Sequence, residues 1–456
     1  MAVNGNVSFW YRETGLPRRR EPLDGSRSAD VCVVGGGFTG LWTAYYLKKA
    51  EPSLDVIVLE KEFAGFGASG RNGGWLSGQI AGSPSRYAKE RGRGSVLALQ
   101  RVMNDGIDEV ISVAEAEGID ADIVRGGVLR VAHAPAQLPR LRASLAQAHK
   151  WGNTDEVPLT AREVTERINV AGAVGGVYDP HGARVQPAKL VRGLAGVVAR
   201  LGVTIYESTP VTAIEPGVAR TPFGDVRARY VLRATEGFTA GLEGQRRTWL
   251  PMNSSMIVTE PLPAEMWADI GWDGYELLGD QSHAYMYAQR TADGRIAIGG
   301  RGIPYRFGSR TDRRGRTQAW TARELREILT RMLPVTARAR VDHAWCGVLG
   351  VPRDWCSSAG LDRVTGLGYA GGYVGHGVTT TNLAGRTLRD LVLGRDTELT
   401  ALPWVGHRVR RWEPEPLRWL GVQAMYAAYR AADRAEDGRR ATTSPIATIA
   451  DRVSGR

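Results

Sequence analysis

Residues 29–60 run Ala29-Asp30-Val31-Cys32-Val33-Val34, Gly35-Gly36-Gly37-Phe38-Thr39-Gly40, then LWTAYYLKKA, and after a short break Asp55-Val56-Ile57-Val58-Leu59-Glu60. The first run is short, β-branched and apolar, the pattern of a strand buried on both faces of a parallel sheet. A glycine turn follows at once, then a segment that reads as a helix, then a second strand ending on an acid. The spacing predicts a βαβ dinucleotide site. Gly35 makes the tight turn, Gly37 lets the backbone approach a pyrophosphate, and Gly40 lets helix and strand pack closely. Phe38 and Thr39 open the helix, whose free N–H groups and positive dipole end face the phosphates. Glu60 follows the last glycine by twenty residues and is placed to accept ribose hydroxyl hydrogen bonds.

The remainder of the 456 residues sets bounds. Hydrophobic residues make up 43% and charged residues 23%, enough for a large core and too apolar for a disordered chain. No apolar run is long enough to cross a bilayer. The N-terminus has no basic start followed by an apolar stretch, so no secretory leader is read there and a cytoplasmic location is expected. Cys32, Cys346 and Cys356 form no CxxC pair, which argues against a disulfide framework or a metal centre. Arginine supplies 53 of the 59 basic residues behind the net charge of +11. No aromatic-interleaved basic motif accompanies that charge, so it reads as solvated surface and not as a nucleic-acid site.

After Glu60 come Lys61-Glu62-Phe63-Ala64-Gly65-Phe66-Gly67-Ala68-Ser69-Gly70-Arg71-Asn72-Gly73-Gly74-Trp75. A run of small residues this long lets the main chain lie along an extended ligand, where a nicotinamide domain would continue into its next helix. On these residues the chain resembles the flavoprotein family that includes D-amino acid oxidase, glycine oxidase and sarcosine oxidase. The segment ASGRNGG is similar to the branch containing gamma-glutamylputrescine oxidase. The resemblance implies non-covalent FAD, with Lys61, Ala68, Ser69, Arg71, Asn72, Gly73 and Gly74 running past the pyrophosphate toward the flavin ring. It further implies Val211 at the adenine and Ala234 and Thr235 closing over the dinucleotide. Gly372, Gly375, His376, Gly377 and Thr379 match a second flavin segment. A helix start there would stabilise a reduced, anionic ring.

The fold class expected is α/β. A Rossmann-like FAD-binding domain of the glutathione-reductase type (1–80, 170–244 and 346–395) joins a mainly antiparallel substrate domain (81–169 and 245–345). A helical C-terminal extension covers 396–456. Asp293-Gly294 predicts a hairpin between strands 284–289 and 295–300. Residues 321–333 predict an amphipathic helix stopped by Pro334. Trp412, Trp419 and Tyr426 fall seven apart on an expected helix. Two readings stay open for that stripe: packing on the protein's own body, or a surface for self-association. Trp75, Tyr285, Tyr287, Arg301 and Trp345 are candidates for the substrate pocket.

Only one dinucleotide fingerprint is present, so the flavin is expected to be reduced by the substrate itself. In the resemblance, α-amino acid oxidases carry a carboxylate-binding arginine at the place of Leu349, which favours an amine substrate here. The covalent-flavin cysteine of the sarcosine oxidase branch lies near Cys346 but offset from it. The reading is an FAD-dependent amine or amino-acid oxidoreductase that forms an imine by hydride transfer to flavin N5. Oxygen reoxidises the flavin to give H2O2, and no catalytic base is named. The alternatives are an FAD-dependent monooxygenase or biosynthetic tailoring dehydrogenase, and a non-catalytic FAD-binding scaffold.

Overall fold

The strand Arg27–Val34 forms where the sequence places it, with Val31, Cys32, Val33 and Val34 at most 3% exposed. The computed structural model describes residues 2–301, 304–312, 314–436 and 442–454, with the side chain of Arg301 outside that description. Arg27–Val34 pairs in parallel with Val56–Leu59 on one side and Gly224–Arg233 on the other. Thr204–Tyr206 extends the sheet beyond Val56–Leu59, and Leu367–Gly371 joins Gly224–Arg233 in parallel. This is the parallel, helix-covered sheet that the βαβ reading requires. The helix Phe38–Ala50 crosses it and packs on Gly377–Leu393 at glycine: a β-carbon on Gly385 would lie 2.7 Å from the Trp42 backbone.

A second, nine-stranded sheet is mostly antiparallel. At its centre Leu250–Thr259 lies between Val341–Val351 and Ile296–Arg301. Its apolar face is covered by the helix Ala319–Met332, which buries Leu325, Ile328 and Leu329 against Ile257 and Ile298. A small third sheet, Trp75–Ser77, Gly182–Arg184 and Val124–Arg125, bridges the two bodies.

The domain boundaries shift from those expected. A cut at 345/346 would split Val341–Val351, which belongs entirely to the substrate sheet. Gly175–Asp179, assigned by sequence to the FAD domain, also pairs in that sheet, as does Val3–Asn4. The strand after Leu277–Asp280 starts only at Tyr287. Residues 284–286 leave the ladder because the Ala284 N–H donates to Asp433 and the Met286 N–H to Asp280.

In the extension, Trp412 lies before the helix Leu417–Glu436, not on it. It is buried against Leu250, Tyr305 and Val351, and its indole N–H donates to the Val351 carbonyl at 2.7 Å. Trp419 and Tyr426 pack against the same cluster. The stripe therefore covers the protein's own sheet and is not a free face for self-association.

The start of the extension is pinned by a buried histidine. His407 meets Glu90 through Nδ1 at 2.9 Å and Asp354 through Nε2 at 2.7 Å. Burial opposes its charge, but these partners outweigh burial and hold the imidazole up at about 10. A raised value means that the stabilisation is complete below the unfolded value near 6.5 and fades as pH climbs toward about 10. The melting temperature of wild type is expected to fall over that window. In His407→Ala that part of the slope should vanish; an unchanged slope in scanning calorimetry would refute the ion-pair account.

Candidate functional site

The glycine turn, the small-residue loop and the start of Gly377–Leu393 converge on one cavity of about 560 Å³. That volume is in the range of small-molecule and cofactor sites. One wall is built from the C-terminal ends of the parallel strands. Gly35, Gly37, Phe38, Thr39, Glu60 and Lys61 line it, with Thr209 and Val211 beside them. Ala68, Ser69 and Asn72 supply the loop side, and Ala234 and Thr235 the facing turn. Gly375 and Gly377 border the cavity at the helix start.

The glycines are there for space. Gly35 has φ +113°, and a β-carbon on it would sit 2.5 Å from the Ala234 carbonyl oxygen. A β-carbon on Gly37 would meet Ser69 Oγ at 2.9 Å, the same hydroxyl that accepts the Phe38 N–H at 2.8 Å. The loop and the helix start are thereby locked together.

Glu60 accepts the Gly36 N–H at 2.8 Å on one oxygen and the Glu62 N–H at 2.9 Å on the other. Each oxygen keeps a lone pair, and Glu60 lines the cavity. Burial pushes its carboxyl up to about 7, against the pull of those two donors. Ribose hydroxyls offered to this carboxylate are charge-assisted donors. Glu60→Ala is expected to weaken FAD binding at least tenfold, because hydrogen bonds to charged groups contribute about 1.5–3 kcal/mol. Titrating apoprotein with FAD by flavin fluorescence checks this, and an unchanged Kd would remove Glu60 from the ribose contact.

Other expected residues stand elsewhere. Arg71 is buried behind the loop, where its Nε–H donates to the Phe66 carbonyl at 2.7 Å and its carbonyl accepts the Trp345 indole N–H at 2.9 Å. It braces the loop and does not line the cavity. Gly40 lies at the helix–strand contact, and Gly372 at a turn with φ +76°. Thr379 is buried on the helix, its hydroxyl accepting the Ser77 N–H at 3.0 Å. His376 caps that helix, and desolvation pushes its imidazole down to about 4, so it is neutral at pH 7. Gly73 and Gly74 face Tyr287 and Gln289, whose side chains a β-carbon would strike at 2.6 and 2.0 Å.

The substrate-pocket candidates separate. Trp345 is wholly buried in an aromatic cluster with Phe9 and Trp10 and cannot face a ligand. Tyr287 is held between Trp75 and Ser254 Oγ, the latter 3.1 Å from its hydroxyl. Trp75 donates to the Ala288 carbonyl at 3.3 Å. Tyr285 is 42% exposed and does not line the cavity, though its hydroxyl is 4.0 Å from where Gly375, a lining residue, would carry a β-carbon. Arg301 ends its strand, and its side chain lies outside the described residues.

Sequence reasoning passed over several polar residues of the cavity, Glu236 and Tyr373 among them. Glu236, with φ +42°, accepts N–H groups from Gly350 at 3.1 Å, Gly372 at 2.8 Å and Tyr373 at 3.3 Å. It ties the substrate strand to the second glycine turn. Burial lifts its carboxyl to about 7 against those three donors. Tyr373 shares a 2.9 Å hydrogen bond with Thr39 and joins that turn to the first helix. An acid placed between Thr235 and Gly237, where the backbone turns sharply, was the available signal. The apolar lining from Phe66, Phe238, Val348 and Leu349 carried no motif.

A glycine-lined cleft at the ends of a parallel sheet, with an acid beside it and a second helix start facing it, defines a dinucleotide-binding protein. The family described as FAD dependent oxidoreductase, DAO, matches residues 30–391, and the chain belongs to it. It is 31% identical over 381 residues to gamma-glutamylputrescine oxidoreductase of Escherichia coli (strain K12), covering 82% of this chain and 86% of that one. It is 30% identical over 414 residues to the probable oxidoreductase OrdL of Rhizobium meliloti (strain 1021), covering 86% and 90%. The solved glycine oxidase of Geobacillus kaustophilus superposes with a TM-score of 0.71 at 22% identity, over 84% of this chain and 99% of that one. The last comparison establishes the fold.

The cofactor of the family is FAD, and the cavity fits it: the glycine turn leaves room for backbone approach, and Glu60 offers acceptors. None of the three cysteines lines the cavity. Burial lifts the Cys346 thiol to about 11, and it donates to the Arg316 carbonyl.

Proposed function

We propose that this FAD-dependent oxidoreductase of the amine and amino-acid oxidase type takes an unprotonated amine and oxidises its C–N bond to an imine. When bound, FAD would supply the two-electron acceptor for the hydride, with O2 as the terminal oxidant and H2O2 as its product. The amine loses a hydride from carbon and a proton from nitrogen, and water then cleaves the imine to a carbonyl compound and ammonia or a smaller amine. Gly35, Gly37, Ser69 and Glu60 would hold the adenosine and pyrophosphate portion non-covalently, with Gly375 and Gly377 at the ring.

One observation carries the substrate class. Leu349 and Val348 form the cavity wall on the strand where an α-carboxylate-binding arginine would stand in amino acid oxidases. Such a wall offers no counter-ion to a carboxylate set against it, the cations of the cavity lining, Lys61, Arg246 and Arg310, lying on other segments, and it disfavours an ammonium. The substrate is thus an amine whose α-carbon bears no carboxylate, as in the name of the Escherichia coli relative. A protein base is not assigned. The location proposed is the cytoplasm; among the described residues no helix is long and apolar enough to cross a membrane.

The test is anaerobic addition of primary and secondary amines and amino acids to the yellow protein, with loss of flavin absorbance as readout. Bleaching by amines, and H2O2 on readmitting air, is expected. Bleaching by NAD(P)H alone would establish the monooxygenase reading instead, and bleaching by neither the scaffold reading.

A further inference from the structure

A second cavity, of about 230 Å³, lies beside the small three-stranded sheet and shares no lining residue with the dinucleotide cavity. Arg184 lines it and is only 6% exposed. Among the described residues its guanidinium makes no hydrogen bond and no ion pair, and its Nε is buried without a partner. It is held by stacking, with its guanidinium carbon 4.7 Å from the Tyr275 ring centre. A cation this deep is costly to desolvate without an anion against it.

The surroundings select the anion. Lys189, the other cation of the cavity, is already committed to Glu13 at 2.9 Å and Asp122 at 3.0 Å. Asp293 stands at the rim, accepting the Thr291 hydroxyl at 2.6 Å on one oxygen and the Arg295 Nε–H at 2.5 Å on the other, with its side chain 54% exposed. Three carboxylates crowd this cavity and disfavour a multiply charged phosphate. They leave a place for a ligand that brings one positive group together with its carboxylate. The guanidinium fork suits a carboxylate, and the rim acids Glu13 and Asp293, paired with Lys189 and Arg295 but still exposed, keep lone pairs for an ammonium.

We propose that this cavity is a second ligand site, taking a small zwitterion whose carboxylate pairs with Arg184 and whose ammonium faces Asp293 and Glu13. The site is independent of the oxidation proposed above. Trp10, already fixed to the body through the Asn72 carbonyl at 2.8 Å, lines it from the N-terminal segment.

The probe is 2-aminoisobutyrate, which has no α-hydrogen and cannot be oxidised by the flavin. Pivalate carries the carboxylate alone, tert-butylamine the ammonium alone, and inorganic phosphate the competing anion. Calorimetry on FAD-loaded protein in a non-zwitterionic buffer is expected to show saturable binding of 2-aminoisobutyrate. Each of the other three should bind at least tenfold more weakly. Arg184→Gln should lower the affinity at least tenfold while keeping its yellow flavin and amine oxidation. Asp293→Asn, at the exposed rim, should weaken 2-aminoisobutyrate and leave pivalate unchanged, and it carries the test if Arg184→Gln does not fold. Equal binding of pivalate, tighter binding of phosphate, no binding of the zwitterion, or full affinity in folded Arg184→Gln would each overturn the proposal.

Discussion

Replacing Gly40 with valine is expected to leave almost no soluble, flavin-loaded protein. A β-carbon at this position would lie 2.0 Å from the Gly35 carbonyl oxygen and 3.1 Å from Val33 Cγ1. The first partner is backbone in the turn itself, so no rotamer change relieves the overlap. The helix Phe38–Ala50 would have to lift from Arg27–Val34, losing contacts that bury Leu41, Ala44 and Leu47 completely. Overpacking alone costs about 1–3 kcal/mol, and detaching a core helix adds more, against a total stability of about 5–15 kcal/mol. Soluble yield and flavin absorbance per protein are the measurements. A Gly40→Val protein with full yellow occupancy would show that the turn does not have this geometry.

The second large effect is expected at Glu236. Removal of its carboxylate in Glu236→Ala leaves the Gly350, Gly372 and Tyr373 N–H groups facing a void. Each buried donor left unsatisfied costs about 1–3 kcal/mol. The second glycine turn should then loosen, and FAD affinity should fall by two orders of magnitude or more. Glu236→Gln is the informative control. Its remaining carbonyl oxygen can serve Gly350 and Tyr373, which share one carboxylate oxygen, while the amide N–H groups cannot accept from Gly372. Its affinity should fall between wild type and alanine. Equal FAD binding in all three proteins, by fluorescence titration, would show that this carboxylate does not organise the turn.

The parts legible in sequence were the local ones. Strand, turn, helix and acid over residues 29–60 interact within one βαβ unit, so spacing alone specifies them. Gly37 and Ser69 come together because the loop returns to the helix start, and the resemblance carried that. Trp345 failed as a pocket residue because its burial depends on Phe9 and Trp10, which arrive from the other end of the chain. Nothing near 345 signals them. Glu236 was passed over for a related reason: its three partners come from two distant segments. The expected cut at 345/346 falls inside one strand, because the hydrogen-bonded ladder that decides where a strand ends continues to Val351 and leaves no local mark in the sequence. Arg184 belongs to no motif read in the sequence, and its lack of a hydrogen-bond or ion-pair partner is visible only in three dimensions.

The C-terminal helix bears on chemistry it never touches. Asp433 accepts the His283 and Ala284 N–H groups, and Glu436 meets the His283 ring at 2.9 Å and Arg140 at 2.6 Å. Those bonds fix the loop that carries Tyr285, whose hydroxyl reaches toward Gly375 at the cavity border. The last turn of a helix near the C-terminus thus anchors a side chain beside the cleft, and a change at Asp433 or Glu436 would be felt there without any change to the glycine turn or Glu60.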